Sequence, residues 1–73
     1  MAKKDKDAVY RVTEVIGTSS ESWEAAARSA VNTASKSLRD LRIAEVTKLD
    51  VKIDNGKVTQ FRTRLALSFK YGA

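Results

Sequence analysis

Three stretches of the chain carry two hydrophobic periods, that of a strand and that of a helix. Val9–Ile16, VYRVTEVI, is rich in β-branched and aromatic residues, which predicts a strand. Tyr10, Val12 and Ile16 fall on one side of it. Val9 and Val15 fall on the other, beside Arg11 and Thr13. Both sides are partly apolar, so both are expected to be partly covered. In one small layer this points to a neighbouring subunit.

After Gly17 the period lengthens. Trp23, Ala26, Ala27, Ala30, Val31 and Ala34, continuing to Leu38 and Leu41, recur at three- and four-residue steps. That is one apolar stripe of a helix, expected from about Ser20 to Leu38 or Arg39. Thr18 followed by Glu21 matches a capping box, and Ser19 or Ser20 serves equally as the cap. Glu21 and Glu24 suit the positive end of the helix dipole, Lys36 and Arg39 the negative end. The stripe is mostly alanine, which lets the helix lie close to a sheet or to another backbone. Trp23 is expected in the core or at a seam.

The stretch from Leu38 to Val46, LRDLRIAEV, joins this helix to a strand with almost no loop. Ile43–Ile53 and Lys57–Tyr71 are long strands around the turn Asp54-Asn55-Gly56. A two-residue Asn-Gly turn pairs Asp54 with Lys57 and sets polar opposite apolar residues along the ladder. A three-residue turn with Gly56 as a bulge pairs Ile53 with Lys57, Leu49 with Phe61, Glu45 with Leu65 and Ile43 with Leu67. The second register gathers Leu49, Val51, Ile53, Phe61, Leu65, Leu67, Phe69 and Tyr71 on one face. Lys48, Asp50, Lys52, Gln60, Arg62, Arg64 and Lys70 share the other. Because a slip of one residue exchanges the faces, the three-residue turn is the expected one. The fold class is therefore α+β: β-α-β-β, a three-stranded antiparallel sheet on one amphipathic helix. Open edges and an apolar overhang make association the expectation.

Composition narrows this picture. Seventy-three residues make one domain, read as a disordered basic tail over 1–8 and a folded unit over 9–73. A core of this size is marginal alone. With neither cysteine nor histidine, disulfides, thiolate chemistry and Cys/His zinc sites are excluded. Self-assembly or oxygen-ligated ions remain as stabilisers. No apolar run approaches the length of a membrane span, and the start, MAKKDKDAVY, lacks the apolar segment of a secretory leader. A cytoplasmic protein is the expectation. Nucleophile elbows, phosphate-cradling glycine loops and metal-ligand spacings are missing too, so an enzyme is the least favoured class. The chain has 14 Lys and Arg against 9 Asp and Glu. The excess is dispersed, and nucleic-acid binding by the face of Lys48, Lys52, Arg62, Arg64 and Lys70 is a third-ranked reading.

From Val9 to Phe69 the chain resembles the dodecins. The likeness lies in the strand followed by Gly17-Thr18-Ser19, the alanine-rich helix, the corner residues Leu38, Arg39, Leu41, Glu45 and Val46, and the closing Leu65, Ser68 and Phe69. The resemblance implies a hollow homododecamer built from trimers, acting as a non-enzymatic small-ligand binding or storage particle, with a calcium-binding or purely structural shell as the alternative. It also implies riboflavin or FMN as the usual ligand, with a tryptophan in the corner stacking on each ring and a glutamine in the last strand bonding its polar edge. Here Ile43 stands at the tryptophan, Arg62 at the glutamine, and Asp50 where some members carry arginine. Isoleucine does not stack, and arginine donates without accepting, so a degraded flavin site with weak binding is expected. Ser22-Trp23-Glu24, Arg42-Ile43-Ala44 and Asp50 look closer to the calcium-dodecin branch. Calcium needs several oxygen ligands; Asp50, Glu45, Glu14 and Asp54 are the candidates, each with a surface ion pair as its alternative. Glu45 is also a candidate buried carboxylate paired with Arg42 and holding the assembly, together with Leu67 and Phe69.

Overall fold

The structure, a computed structural model, describes residues 8–70. The elements follow in the expected order: β1 (Tyr10–Ser19), α1 (Trp23–Ala34), β2 (Leu41–Asp54) and β3 (Lys57–Lys70). The strands form one antiparallel sheet in the order β1-β3-β2, so α1 carries the chain across β3. Residues 1–7 of the expected tail and the place given to Tyr71 lie outside the described residues.

The helix is shorter than its apolar stripe suggests. β1 runs on through Gly17, Thr18 and Ser19, which pair with Thr63, Arg62 and Phe61, so none of these caps the helix. Ser22 does: its backbone is extended and its side chain accepts the Ala25 N–H. At the other end α1 stops at Ala34, and Ser35–Ser37 tighten into a turn. Lys36 and Arg39 therefore lie beyond the last turn. The corner is a true connection of six residues, 35–40, and Asp40 takes a left-handed conformation there (φ 59°). Leu38 and Leu41 leave the helix yet still pack against its core.

The three-residue turn is not what forms. Asp54 pairs with Lys57 across a two-residue turn, and Asn55 and Gly56 both have positive φ (52° and 75°), as a type I′ turn requires. Apolar residues are kept together by irregularities instead. Register shifts fall between Lys52 and Ile53, Val46 and Lys48, and Leu41 and Ile43. Val51 consequently faces Phe61 and Leu49 faces Thr63; beyond the Thr47 bulge, Val46 faces Leu65 and Ala44 faces Leu67. Directly opposed residues share a face, so all of these lie on the helix side. Glu45 pairs with Ala66 rather than Leu65, and Ile43 with Ser68 rather than Leu67. Both therefore sit exposed on the face away from the helix, and Glu45 is not a buried carboxylate.

The core is narrow. Ala30 and Ala34 of α1 pack with Leu65 and Leu67 of β3, and Ala26 and Thr63 are buried as well. Gly17 allows the approach, since a Cβ there would stand 2.0 Å from the Ala26 carbonyl oxygen. The helix lies over β1 and β3 and scarcely touches β2. Val46 and Leu49 on β2 remain about half exposed (51% and 49%). A 12-residue helix spans about 18 Å, against roughly 47 Å for 14-residue strands. The expected apolar overhang is present.

Candidate functional site

The face turned away from the helix carries most of the residues singled out in the sequence, and pairing sorts them into rungs across β1, β3 and β2. Val12, Ser68 and Ile43 form one rung. Glu14, Ala66 and Glu45 form the next, then Ile16, Arg64 and Lys48, then Thr18, Arg62 and Asp50. Gln60 and Lys52 follow toward the turn.

Asp50 and Arg62 are directly opposed, and they engage each other. Arg62 Nε donates to Asp50 Oδ1 at 2.7 Å and its Nη2 to Oδ2 at 3.3 Å, the two-pronged geometry that suits guanidinium and carboxylate. The Arg62 hydrogen bond holds the Asp50 carboxyl below its usual value of 3.8; partial desolvation opposes this, and the positive charges of Arg62, Arg64 and Lys48 reinforce it. The same hydrogen bond raises the Arg62 guanidinium.

Behind this pair, on the helix side, stands a contact that the sequence did not disclose. Trp23 Nε1 donates to the Asp50 carbonyl (3.0 Å), and its indole meets Phe61 edge-on with ring centroids 5.1 Å apart. Thr63 Oγ1 donates to the Trp23 carbonyl (2.9 Å). Trp23 is thus a seam residue that ties the helix start to β2 and β3. Its only sequence signal is an aromatic at the first helical position; the partner lies 27 residues away.

The other candidates are dispersed. Glu14 Oε1 is 3.6 Å from Arg64 Nη1. Asp54 accepts from Thr59 (3.0 Å) and lies 3.9 Å from Lys52. Glu45 has no ion pair among the described residues, and the expected partner Arg42 lies in a register shift. Ile43 is 61% exposed and, from Ser68 to Arg62 along β3, roughly 20 Å from the Asp50 rung. Leu67 is buried in the core and Phe69 half-buried beside it on the helix face. No three acidic side chains converge among the described residues, and no described helix is long and apolar enough to cross a membrane.

A long antiparallel sheet that overhangs a short alanine-faced helix, with open edges and an exposed β2, defines a small sheet-and-helix domain of β-α-β-β order. Comparison with known proteins makes this specific. The Dodecin family model matches residues 9–72. Calcium dodecin of Mycobacterium tuberculosis is 48% identical over 63 residues, covering 85% of this chain and 87% of that protein. The structure of dodecin from Streptomyces coelicolor superposes with a TM-score of 0.85 at 40% identity, covering 92% of this chain and 96% of that one. The crystal structure of the M. tuberculosis calcium dodecin, described as a calcium-chelating antigen with a novel calcium-binding site, gives a TM-score of 0.77 at 46% identity, covering 85% and 89%. The chain belongs to the dodecin family, and within it to the calcium-dodecin-like branch.

Proposed function

We propose that this chain builds a homododecameric dodecin shell that holds small ligands or ions at subunit interfaces, with calcium favoured over flavin. The shell acts by binding and not by catalysis. The observation that carries the preference is the Asp50–Arg62 ion pair. The pair includes Arg62, at the position where the family resemblance implies a contact to a flavin's polar edge, and Asp50, where some members carry arginine, while Ile43 replaces the stacking aromatic. Arg62 offers only donors and already spends two on Asp50. Isoleucine provides apolar contact without the roughly 0.5–1.5 kcal/mol of ring stacking.

Calcium takes six to eight oxygens at about 2.3–2.6 Å. One subunit does not meet that demand. Three of the four candidate carboxylates, Asp50, Glu14 and Asp54, have a base of their own within 4 Å. A calcium site in this assembly would combine oxygens from several copies, with Glu45 the carboxylate left to contribute. Exposed Val12, Ile16 and Ile43 on the same face support the view that another subunit covers it.

Native mass spectrometry of the protein as purified from cells tests the reading. Twelve subunits with bound calcium that a chelator removes is the expected result. Twelve subunits carrying flavin would reverse the order of ligands. Twelve subunits with nothing bound would leave a structural shell, and a monomer would end the proposal.

A further inference from the structure

The tip of the β2–β3 hairpin joins a reactive pair of residues to a weak hold on them. Asn55 is exposed and is followed by Gly56, where a Cβ would meet nothing within 4 Å. No side chain of its own screens the Gly56 amide nitrogen, and the space beside its Cα is open. The turn keeps that nitrogen from the Asn55 side chain. Both residues have positive φ (52° and 75°), and the first residue of a type I′ turn has ψ of about +30°. The Gly56 nitrogen then lies across the Cα–C bond from the Asn55 Cβ, and the two approach only after a large rotation. Little opposes that rotation. The helix begins at Trp23, which meets the hairpin at Asp50, Phe61 and Thr63, so the tip projects past it. Ile53 and Val58, paired there, are 60% and 52% exposed. Side-chain ties at the tip run to Asp54, from Thr59 Oγ1 at 3.0 Å and from Lys52 Nζ at 3.9 Å.

We propose that Asn55-Gly56 is a self-modification site, with water as co-reactant, and that local opening of the hairpin tip sets its rate. The Gly56 nitrogen gives up its proton and attacks the Asn55 Cγ. The bond from Cγ to the side-chain nitrogen breaks, ammonia leaves, and a cyclic imide remains. Water then opens the imide at either carbonyl. Attack at Cγ leaves an ordinary aspartate. Attack at the main-chain carbonyl leaves isoaspartate, in which the chain runs through Cγ and Cα bears the free carboxylate. Nothing is oxidised or reduced. The fold separates the two products. Aspartate before glycine still suits a type I′ turn. Isoaspartate adds a methylene to the main chain of a two-residue turn, so the Asp54–Lys57 rung loses its geometry. Either product sets a new negative charge beside Asp54.

The test is incubation of the full-length protein, as purified, in warm and mildly alkaline buffer. Isoaspartate is counted by enzymatic methyl transfer from S-adenosylmethionine to its free carboxylate, and peptide mapping locates it. It should accumulate at position 55, about tenfold or more slowly in the folded protein than in denaturing urea, because the turn must open first. Urea well below the unfolding midpoint should leave the folded rate nearly unchanged, since a local opening exposes little surface. Thr59→Val loosens the tip without touching the reacting atoms; it should raise the folded rate about three- to tenfold and leave the rate in denaturing urea as it was. Asn55→Gly keeps a turn of the same type and should carry no isoaspartate there. The Lys57 amide should exchange faster in the isoaspartate fraction than in the unaltered protein, and no faster in Asn55→Asp. Equal rates folded and unfolded, no isoaspartate in either, or a folded rate that climbs with urea as global unfolding does would overturn the proposal. So would no acceleration by Thr59→Val, or unchanged Lys57 exchange in the isoaspartate fraction.

Discussion

Asp50 shows how a single residue reads differently on paper and in space. In the sequence it is one acid among several in a basic strand. In the fold it is opposed to Arg62, neighboured by Lys48 and Arg64, and backed through its carbonyl by Trp23. Its carboxyl is held below the ordinary value of 3.8 by Arg62. A group whose folded pKa is lowered binds fewer protons folded than unfolded, so its contribution to stability is complete above the ordinary carboxylate value and fades as pH falls through and below it. Asp50→Asn should therefore lower the urea midpoint at pH 7, and the difference from the unaltered chain should close below about pH 4; a constant difference down to pH 3 would deny the ion pair any role in stability. Gly17 is a second such residue. Periodicity marks it only as a break, and the family likeness includes it without giving a reason, yet any side chain there drives into the Ala26 carbonyl and the Ala30 methyl. Gly17→Ala should cost about 1–3 kcal/mol by overpacking, measurable as a lower thermal midpoint.

At the scale of elements, order and type were legible and boundaries were not. The β-α-β-β order followed from periodicity, because alternation and helical spacing are local properties. The apolar spacing overstates the helix because Leu38 and Leu41 continue it, although they reach the core from the connection and from β2. The hairpin departs from its pattern for a related reason. A strand without bulges can unite Leu49, Phe61 and Leu65 only by a three-residue turn. The actual chain uses the turn that Asn55-Gly56 favours and restores the faces with bulges, which have no reliable local signature. Thr47 sits in one of these, its hydroxyl donating to the Arg64 carbonyl at 3.3 Å. Deleting Thr47 should place either Ala44 and Val46 or Leu49 and Val51 on the wrong face and abolish the cooperative thermal transition. Thr47→Ala keeps the extra residue and should cost only about 1 kcal/mol or less.

At the scale of the whole molecule, much apolar surface stays uncovered. Among the described residues the buried core is confined to a few alanines, Leu65, Leu67 and Thr63, while Val12, Ile16, Ile43, Val46 and Leu49 stay open. Two classes of substitution should therefore separate. Leu67→Asp removes about 1.5–3 kcal/mol of burial and adds an unpaired buried charge, so the subunit itself should fail to fold by circular dichroism. Val46→Asp and Glu45→Gln change groups already exposed in the subunit; secondary structure should survive while the assembled mass falls or dissociates at lower temperature. Full assembly by Val46→Asp would mean that the open side of β2 is not an interface.

The sequence by itself determined the fold class and the family, since periodicity and the order of short motifs are carried by neighbouring residues. It also determined which chemistries are out of reach, because a chain without cysteine or histidine has no thiolate or imidazole to offer. Only the tertiary structure decided what stands beside what. The Asp50–Arg62 rung, the Lys48–Arg64 rung and the Trp23 tether each join residues from 12 to 27 positions apart, and each depends on bulges that shift register by one. A shift of one residue exchanges the faces of a strand, so the candidate site was legible as a list of residues and became a site only when the sheet fixed their pairing.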